Sequence, residues 1–202
     1  TGDFYTSPHA HPAFGALIAV QLHQMWQVMG RPATFTVVEL GAGNGRLCRD
    51  LTSYAASLPG EFARSLRYVC LDTLVTGGVE RESGRGAGEP SVNRVAALLF
   101  LEDSDDAHLR GVPLRGFKGC ILSNELLDAF PVHQVTSSYG SLKEVHVTLT
   151  DNNLEFALDE PSTPRLAGRL TDLGITLGEG QTVEINLGLD GWVDQISEAL
   201  DT

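Results

Sequence analysis

The stretch "VVELGAGNGRL", residues 37–47, decides the fold. A run rich in β-branched residues, 34–40, ends at alternate glycines, and a segment with a helical hydrophobic period follows. A strand, a glycine loop and a helix in this order let the backbone bend tightly and bring helix N–H groups towards a ligand. The stretch therefore predicts an α/β domain that binds a ligand at the carboxyl edge of a parallel sheet.

Helix and strand patterns alternate around this stretch. The predicted helices cover 12–29, 45–58, 164–173 and 189–200, and the predicted strands cover 34–40, 66–71 and 117–122. The first helix is expected to bury a face made of Phe14, Leu17, Ile18, Leu22, Met25, Trp26 and Met29, and the last a face made of Trp192, Val193, Ile196 and Leu200. Such alternation favours a doubly wound, mainly parallel sheet.

The hydrophobic period changes to two in the middle of the chain. Apolar side chains at 145, 147 and 149 alternate with polar ones, and Asp151-Asn152-Asn153 then forms a turn signal before a second alternating run, 154–158. The pattern predicts a small antiparallel meander over 132–158, inserted into the α/β core.

Composition limits the classes of protein that fit. The 202 residues, 42% of them hydrophobic, are enough for one main core, and 14 basic against 26 acidic residues give a net charge of −12. Binding to nucleic acid or docking on an anionic membrane needs a cationic face, so neither is expected. No apolar run approaches the ~20 residues of a membrane span. Cys48, Cys70 and Cys120 lie in apolar stretches, which favours buried reduced thiols.

The side chains around the glycines select the ligand. Arg46 stands where a dinucleotide fingerprint has its last glycine, and the carboxylate of Glu39 would repel a diphosphate. Glu39 suits a ligand with a cationic amino group, such as S-adenosylmethionine, and Asp72 lies at the end of the second strand, where a carboxylate accepts ribose hydroxyls. The alternative is a glycine turn that binds no ligand.

Four separated motifs resemble one family. "GDFYTSPHAHPAFG" (2–15), "VVELGAGNGRL" (37–47), "SNELLDAFPVHQV" (123–135) and "EINLGLDGW" (184–192) are similar to the MidA-like family of S-adenosylmethionine-dependent methyltransferases. Mitochondrial members of that family support assembly of respiratory complex I by methylating an arginine of a core subunit. The resemblance implies a Rossmann-like, three-layer class I methyltransferase fold and a protein substrate. It also implies a cytoplasmic location in a bacterium or the mitochondrial matrix in a eukaryote.

The resemblance also assigns roles to residues. It implies that Asp3, Tyr5 and Thr6 belong to a loop folded over the cofactor and that Asn124 and Glu125 line the methyl-transfer side. The full set of predicted cofactor residues is Glu39, Gly41, Ala42, Gly43, Gly45, Asp72, Asp3, Tyr5 and Thr6.

The chain also departs from the family pattern. The family has a Glu-led triplet where this chain has Asp72-Thr73-Leu74, residues 76–101 match poorly, and the family continues past "EINL…W" into a further strand. We therefore expect a single methyltransferase domain over 1–202 that is part of a longer protein.

Polar residues after the strand at 117–122 suggest the catalytic chemistry. Carboxylates bind a guanidinium group bidentately, and residues three apart share one face of a helix. Glu125 and Asp128 are therefore predicted to clamp an arginine acceptor if this segment is helical, with Asn124 orienting cofactor or acceptor. The alternative is that Asp128 caps a turn and Glu125 only faces solvent.

Other candidates are weaker. His9, His11 and His133 have no further ligand near them in sequence, so no metal site is predicted, and His11 is more simply a helix-start residue. Three functions remain open: a protein methyltransferase acting on arginine, a small-molecule methyltransferase of the same fold, and a non-catalytic assembly factor that retains a cofactor site.

Overall fold

The chain forms two compact units. The computed structural model describes residues 10–72, 80–82, 89–96 and 114–200. One unit is formed by Thr1–Asp128 with Gly191–Thr202, and the other by Ala129–Asp190. The second unit is longer than the meander predicted over 132–158. The predictions for Asp3, Tyr5, Thr6 and His9 lie outside the described residues.

The first unit is built on a mainly parallel sheet. Its strands are β1 (Phe35–Leu40), β2 (Leu66–Asp72), β3 (Glu80–Glu82), β4 (Ser91–Ala96) and β5 (Gly119–Ser123), and its helices are α1 (Ala13–Val28), α2 (Arg46–Ala55) and α3 (Gly60–Ser65), with most of α5 (Leu189–Ser197). The sheet order is β3-β4-β2-β1-β5, in which β4, β2, β1 and β5 are parallel and β3 is antiparallel to β4. The predicted α/β fold class is therefore confirmed.

Strand β1 pairs with β2 on one side and with β5 on the other, and it is buried along its whole length. A strand covered on both faces reads as a continuous β-branched and apolar run, which is how 34–40 appears in the sequence. The core packs α1, α2 and α3 against the sheet, with Leu22, Trp26, Leu51 and Phe62 among its buried side chains. Cys48 and Cys70 are buried there as thiols, whereas Cys120 is only half-buried.

The inward faces of two helices differ from prediction. Leu17 of α1 is 69% exposed and Met29, directly after the helix, is 40% exposed, because the buried face is centred on Gly15, Ala19, Leu22 and Trp26. A Cβ atom at Gly15 would lie 2.8 Å from Asp50 Cβ, so the glycine allows α1 to approach α2 closely. In α5, Trp192 is buried as predicted, whereas Val193 is exposed.

The helix predicted over 45–58 is also shorter than expected. It ends at Ala55, and the short helix α3 begins at Gly60 with Pro59 as its N-cap residue. Proline is favourable beside the first turn of a helix, where its missing N–H is not needed.

The second unit is an antiparallel sheet with one helix. Its strands are β6 (His133–Ser138), β7 (Ser141–Thr150), β8 (Asn153–Asp159) and β9 (Thr182–Ile185), and its helix is α4 (Arg165–Asp172). The order β8-β7-β6-β9 is antiparallel throughout, which confirms the predicted meander. Asp151 and Asn152 both have positive φ at the β7–β8 turn, as a type I′ hairpin turn requires.

The alternating pattern of β7 buries its polar side. Val135 and Glu144 are paired across β6 and β7, so they share a face of the sheet, and both are buried. Because successive side chains alternate, the apolar set lies on the opposite face. Exposure there reaches 62% at Val147 and 80% at Phe156. Val135 packs instead with Leu166 and Leu170 of α4 and with Ile185.

Candidate active site

The carboxyl ends of three parallel strands meet at one edge of the first unit. Leu40 pairs with Leu71 of β2 and with Ser123 of β5, so the residues that follow these strands leave the sheet side by side. Ligands of parallel α/β sheets bind outside these ends. The structure therefore brings the glycine loop, Asp72 and Asn124 to one edge, as the sequence predicts.

The glycine loop adopts a conformation that other residues rarely take. Gly41, Gly43 and Gly45 have φ values of +71°, +54° and +72°, all in the left-handed region. Gly41 is restricted a second time, because a Cβ atom there would lie 2.9 Å from Leu126 Cδ1. The three glycines are thus required by the path of the backbone.

Backbone hydrogen bonds fasten this loop to β2. The N–H groups of Gly41 and Ala42 both donate to the carbonyl oxygen of Leu71, at 2.9 and 3.1 Å. Gly43 N–H donates to Asp72 Oδ2 at 2.7 Å. The carboxylate predicted to accept ribose hydroxyls therefore also holds the middle of the glycine loop.

Helix α2 begins directly after the loop. Gly45 is its N-cap residue, and the N–H of Arg46 is satisfied by Asn44 Oδ1 at 3.1 Å. The guanidinium Nε of Arg46 lies 3.9 Å from Asp50 Oδ2, one turn further along the helix. The side chain that replaces the last glycine of a dinucleotide fingerprint is thus held against its own helix.

Glu39 is buried beneath the loop and takes part in a polar cluster. The carboxylate is on a residue only 4% exposed, and the phenol of Tyr68 donates to its Oε2 at 2.9 Å. The Cys70 thiol lies 3.9 Å from the same oxygen. Burial, followed by the charge of Glu39, raises the pKa of Tyr68 well above its ordinary value, so the phenol stays protonated as a donor.

Tyr68 was missed at the level of sequence. A signal was present, because in a strand every second residue shares a face, and counting back from Asp72 gives Cys70 and then Tyr68. The parallel register sets Val37 against Tyr68 and Glu39 against Cys70. That register depends on the pairing of two distant strands, which the sequence does not specify.

The segment after β5 departs from prediction. Asn124 is half-buried, and Glu125 is exposed with φ +52°, so the chain bends at Glu125 instead of entering a helix. Leu126 then folds inward against Gly41, and one 3-10 turn follows at Leu127–Ala129. The expectation that a helix places Glu125 and Asp128 on one face is therefore wrong. Both carboxylates do lie on exposed residues of this short segment.

The predicted histidine roles fall in different places. His11 Nδ1 accepts a hydrogen bond from the N–H of Ala13 at 3.0 Å, which is the helix-start role expected for it. In the second unit, His133 Nδ1 lies 2.7 Å from Glu144 Oε1. Among the residues that the structure describes, no group of three His, Cys, Asp or Glu side chains could hold a metal ion.

The sheet and its edge define the class of protein. A parallel sheet in the order β4-β2-β1-β5, with a glycine loop after β1 and an acidic residue after β2, is the arrangement of a Rossmann-like methyltransferase. The chain belongs to the family described as "Putative S-adenosyl-L-methionine-dependent methyltransferase", whose model matches residues 17–202. This membership confirms the family resemblance predicted from the sequence.

Two curated relatives are named as protein arginine methyltransferases. The chain is 27% identical over 179 residues to the protein arginine methyltransferase NDUFAF7 homolog, mitochondrial, of Drosophila melanogaster. It is 28% identical over 178 residues to protein arginine methyltransferase NDUFAF7, mitochondrial, of Homo sapiens. In both comparisons the match covers 81% of this chain and 40% of the relative. The chain therefore spans about 40% of the length of these relatives.

A solved structure matches almost the whole chain. The matched protein comes from Burkholderia thailandensis and has S-adenosyl-homocysteine bound. It is 26% identical to this chain, and the two structures superpose with a TM-score of 0.67. The match covers 98% of this chain and 46% of the other.

No helix in the described part of the present chain is long and apolar enough to cross a membrane.

Proposed function

We propose that this chain carries the cofactor site of an S-adenosylmethionine-dependent methyltransferase that acts on arginine side chains of a protein. The observation that carries the proposal is the hydrogen bond of 2.7 Å between Gly43 N–H and Asp72, which joins the glycine loop to the acidic end of β2. The family membership, the S-adenosyl-homocysteine in the related structure and the names of the mitochondrial relatives support it.

The groups at the sheet edge suit each part of the cofactor. The Glu39 carboxylate complements the ammonium group of the methionine part, and the loop of Gly41, Gly43 and Gly45 lets the ligand approach the backbone closely. Asp72 accepts the ribose hydroxyls with lone pairs that remain beside its bond to Gly43. Ala42, in the same loop, is buried in the hydrophobic core of the unit. By resemblance, Asp3, Tyr5 and Thr6 close over the same ligand.

Methyl transfer is an in-line displacement. A lone pair of the acceptor nitrogen forms the new N–C bond while the S–C bond of the sulfonium breaks, S-adenosylhomocysteine leaves, and the nitrogen loses a proton. Most of the acceleration comes from holding the nitrogen about 3–3.5 Å from the methyl group and aligned with the sulfur.

The methyl acceptor is proposed to bind to Asn124, Glu125 and Asp128. They follow β5 at the edge that carries the cofactor groups, and carboxylates orient a guanidinium through charge-assisted hydrogen bonds. Glu125 and Asp128 are exposed, which suits an arginine presented by a protein better than a small substrate enclosed in an apolar pocket. This exposure favours the protein methyltransferase over the small-molecule alternative.

The setting of the reaction is part of the proposal. The relatives named above are mitochondrial. We therefore propose that the protein acts in the mitochondrial matrix if its source is eukaryotic and in the cytoplasm if its source is bacterial. The resemblance further suggests a respiratory complex subunit as the acceptor.

Transfer of a labelled methyl group tests the proposed function. The chain is incubated with methyl-labelled S-adenosylmethionine and a cell lysate, and labelled proteins are digested and sequenced by mass spectrometry. Label on arginine is the expected result. Label confined to small molecules would favour the alternative substrate class, and absence of any transfer would contradict an active methyltransferase.

A further inference from the structure

We propose that Tyr68 is a positioning residue of the cofactor site, which holds the Glu39 carboxylate in the orientation that receives the ammonium group of S-adenosylmethionine. The inference rests on the proposed function and adds to it a residue that lies outside the glycine loop and the acidic end of β2. It is carried by the hydrogen bond of 2.9 Å from the Tyr68 phenol to Glu39 Oε2.

The sheet fixes the donor. Tyr68 is fully buried in the middle of β2, in a core that also contains Val37 and Leu51. Tyrosine has two side-chain torsions, and close packing leaves the ring little freedom, so the phenol oxygen keeps one place. Glu39 has more side-chain torsions than tyrosine and is therefore more flexible, and it lies two residues before Gly41, where the loop begins. The rigid partner therefore determines the orientation of the flexible one.

The two donors that contact Glu39 Oε2 are neutral groups. A buried carboxylate needs hydrogen-bond donors, because its burial without them is costly. A phenol and a thiol are neutral, so Tyr68 and Cys70 satisfy Glu39 Oε2 without cancelling its negative charge. A lysine or arginine in the place of Tyr68 would have neutralised it. These two hydrogen bonds are therefore compatible with a ligand group that brings a positive charge to Glu39.

A purely structural hydrogen bond would behave differently. If Tyr68 only stabilised the core, its removal would weaken every ligand of the site to a similar extent. A positioning role affects only ligands that carry the ammonium group. S-adenosylhomocysteine carries that group, whereas 5′-methylthioadenosine has the same adenosine and sulfur but no amino-acid part.

The test compares the two ligands by calorimetry. For Tyr68→Phe, which keeps the ring and removes the donor, we expect about a tenfold loss of affinity for S-adenosylhomocysteine, since bonds to charged groups contribute strongly. Affinity for 5′-methylthioadenosine should be unchanged. Tyr139→Phe, on a residue that is 98% exposed, is the matched control and should bind both ligands as the wild type does.

Two results would overturn the inference. One is unchanged affinity of Tyr68→Phe for S-adenosylhomocysteine, and the other is an equal loss for both ligands. If the wild type binds neither ligand, the proposed function itself fails, which is a distinguishable outcome.

A second variant avoids any change in the core ring. Glu39→Gln leaves an acceptor for the Tyr68 phenol but removes the charge, so affinity for S-adenosylhomocysteine should again fall selectively. In a double-mutant cycle, adding Tyr68→Phe to Glu39→Gln should have little further effect, because both changes act through one carboxylate. Additive losses would contradict the positioning role, and thermal melting of each variant establishes that it is folded.

Discussion

Single residues shape the sheet edge through two separate constraints. Gly43 is required only for its backbone, since nothing lies within 4 Å of a Cβ atom placed there. Gly41 is required for its backbone and for the space occupied by Leu126.

Glu125 has positive φ although it is not glycine, and such strain is commonly found at functional sites. The strain accompanies the inward packing of Leu126 directly after it.

Gly41 and Gly43 should respond differently to substitution by alanine. Gly43→Ala should lower the free energy of unfolding by about 1–2 kcal/mol, the cost of a left-handed alanine. Gly41→Ala should cost more, because its methyl group would also meet Leu126. Urea denaturation measures both. Adding Leu126→Ala should recover the excess only in Gly41→Ala, and equal losses in the two single variants would contradict the contact.

Glu125 should separate catalysis from cofactor binding. Glu125→Gln keeps the size of the side chain but removes the charge that would orient a guanidinium, so methyl transfer to arginine should fall by about tenfold or more. Affinity for S-adenosylhomocysteine should stay the same. The labelled-methyl assay and calorimetry measure the two effects, with Glu155→Gln, on the exposed strand β8, as control. An unchanged rate of methyl transfer would contradict the role of Glu125 in binding the arginine acceptor.

Whole elements depend on contacts that their sequences only partly reveal. The β-branched run of β1 and the turn signal between β7 and β8 were sufficient to predict those elements. The inward face of α1 was not predictable, because Gly15 approaches α2 more closely than any side chain could and so rotates the contact away from Leu17. Burial of the Glu144 face of β7 depends likewise on α4, which packs against Val135 on the same face of the sheet.

Two helical glycines provide a matched test of the α1–α2 contact. Glycine to alanine in a helix normally stabilises by about 0.5–1 kcal/mol. Gly168→Ala in α4, where nothing lies within 4 Å of the added Cβ, should follow that rule. Gly15→Ala should instead destabilise, since its Cβ would lie 2.8 Å from Asp50 Cβ. Thermal or urea unfolding gives the sign of each change. Stabilisation by Gly15→Ala would show that the helices are further apart.

Glu144 should make the second unit sensitive to acid. Burial alone would raise the pKa of Glu144, but hydrogen bonds from His133 and Ser162 outweigh it and lower the pKa from 4.5 to about 2. Because the folded pKa is depressed, the stabilisation is complete above the unfolded pKa and is lost as pH falls from about 5 towards 2. Unfolding followed from pH 7 to pH 2.5 measures this loss. Glu144→Gln should be less stable at pH 7, and its deficit should shrink across that window. A constant deficit would contradict the shifted pKa.

At the level of the whole chain, the sequence predicted the α/β class and the chemistry of one sheet edge. The loop glycines, Glu39 and Asp72 could be recognised, because a glycine cluster after a β-branched run and acidic residues at strand ends are visible in the sequence alone. Tyr68 and Leu126 were missed, because they join that edge only through strand pairing and through the bend at Glu125. The charge of −12 and the exposed carboxylates after β5 both suit a cationic acceptor such as arginine.

The most direct test of the central claim is a calorimetric titration of this chain with S-adenosylhomocysteine, in wild type and in Asp72→Ala. We expect saturable binding at one site in the wild type. The variant should bind at least about tenfold more weakly, because it loses both the ribose acceptor and the bond to Gly43. Asp172→Ala, on an exposed residue of α4, should bind as the wild type does. Absence of binding at millimolar ligand, or equal affinity of wild type and Asp72→Ala, would contradict a cofactor site at this edge of the sheet.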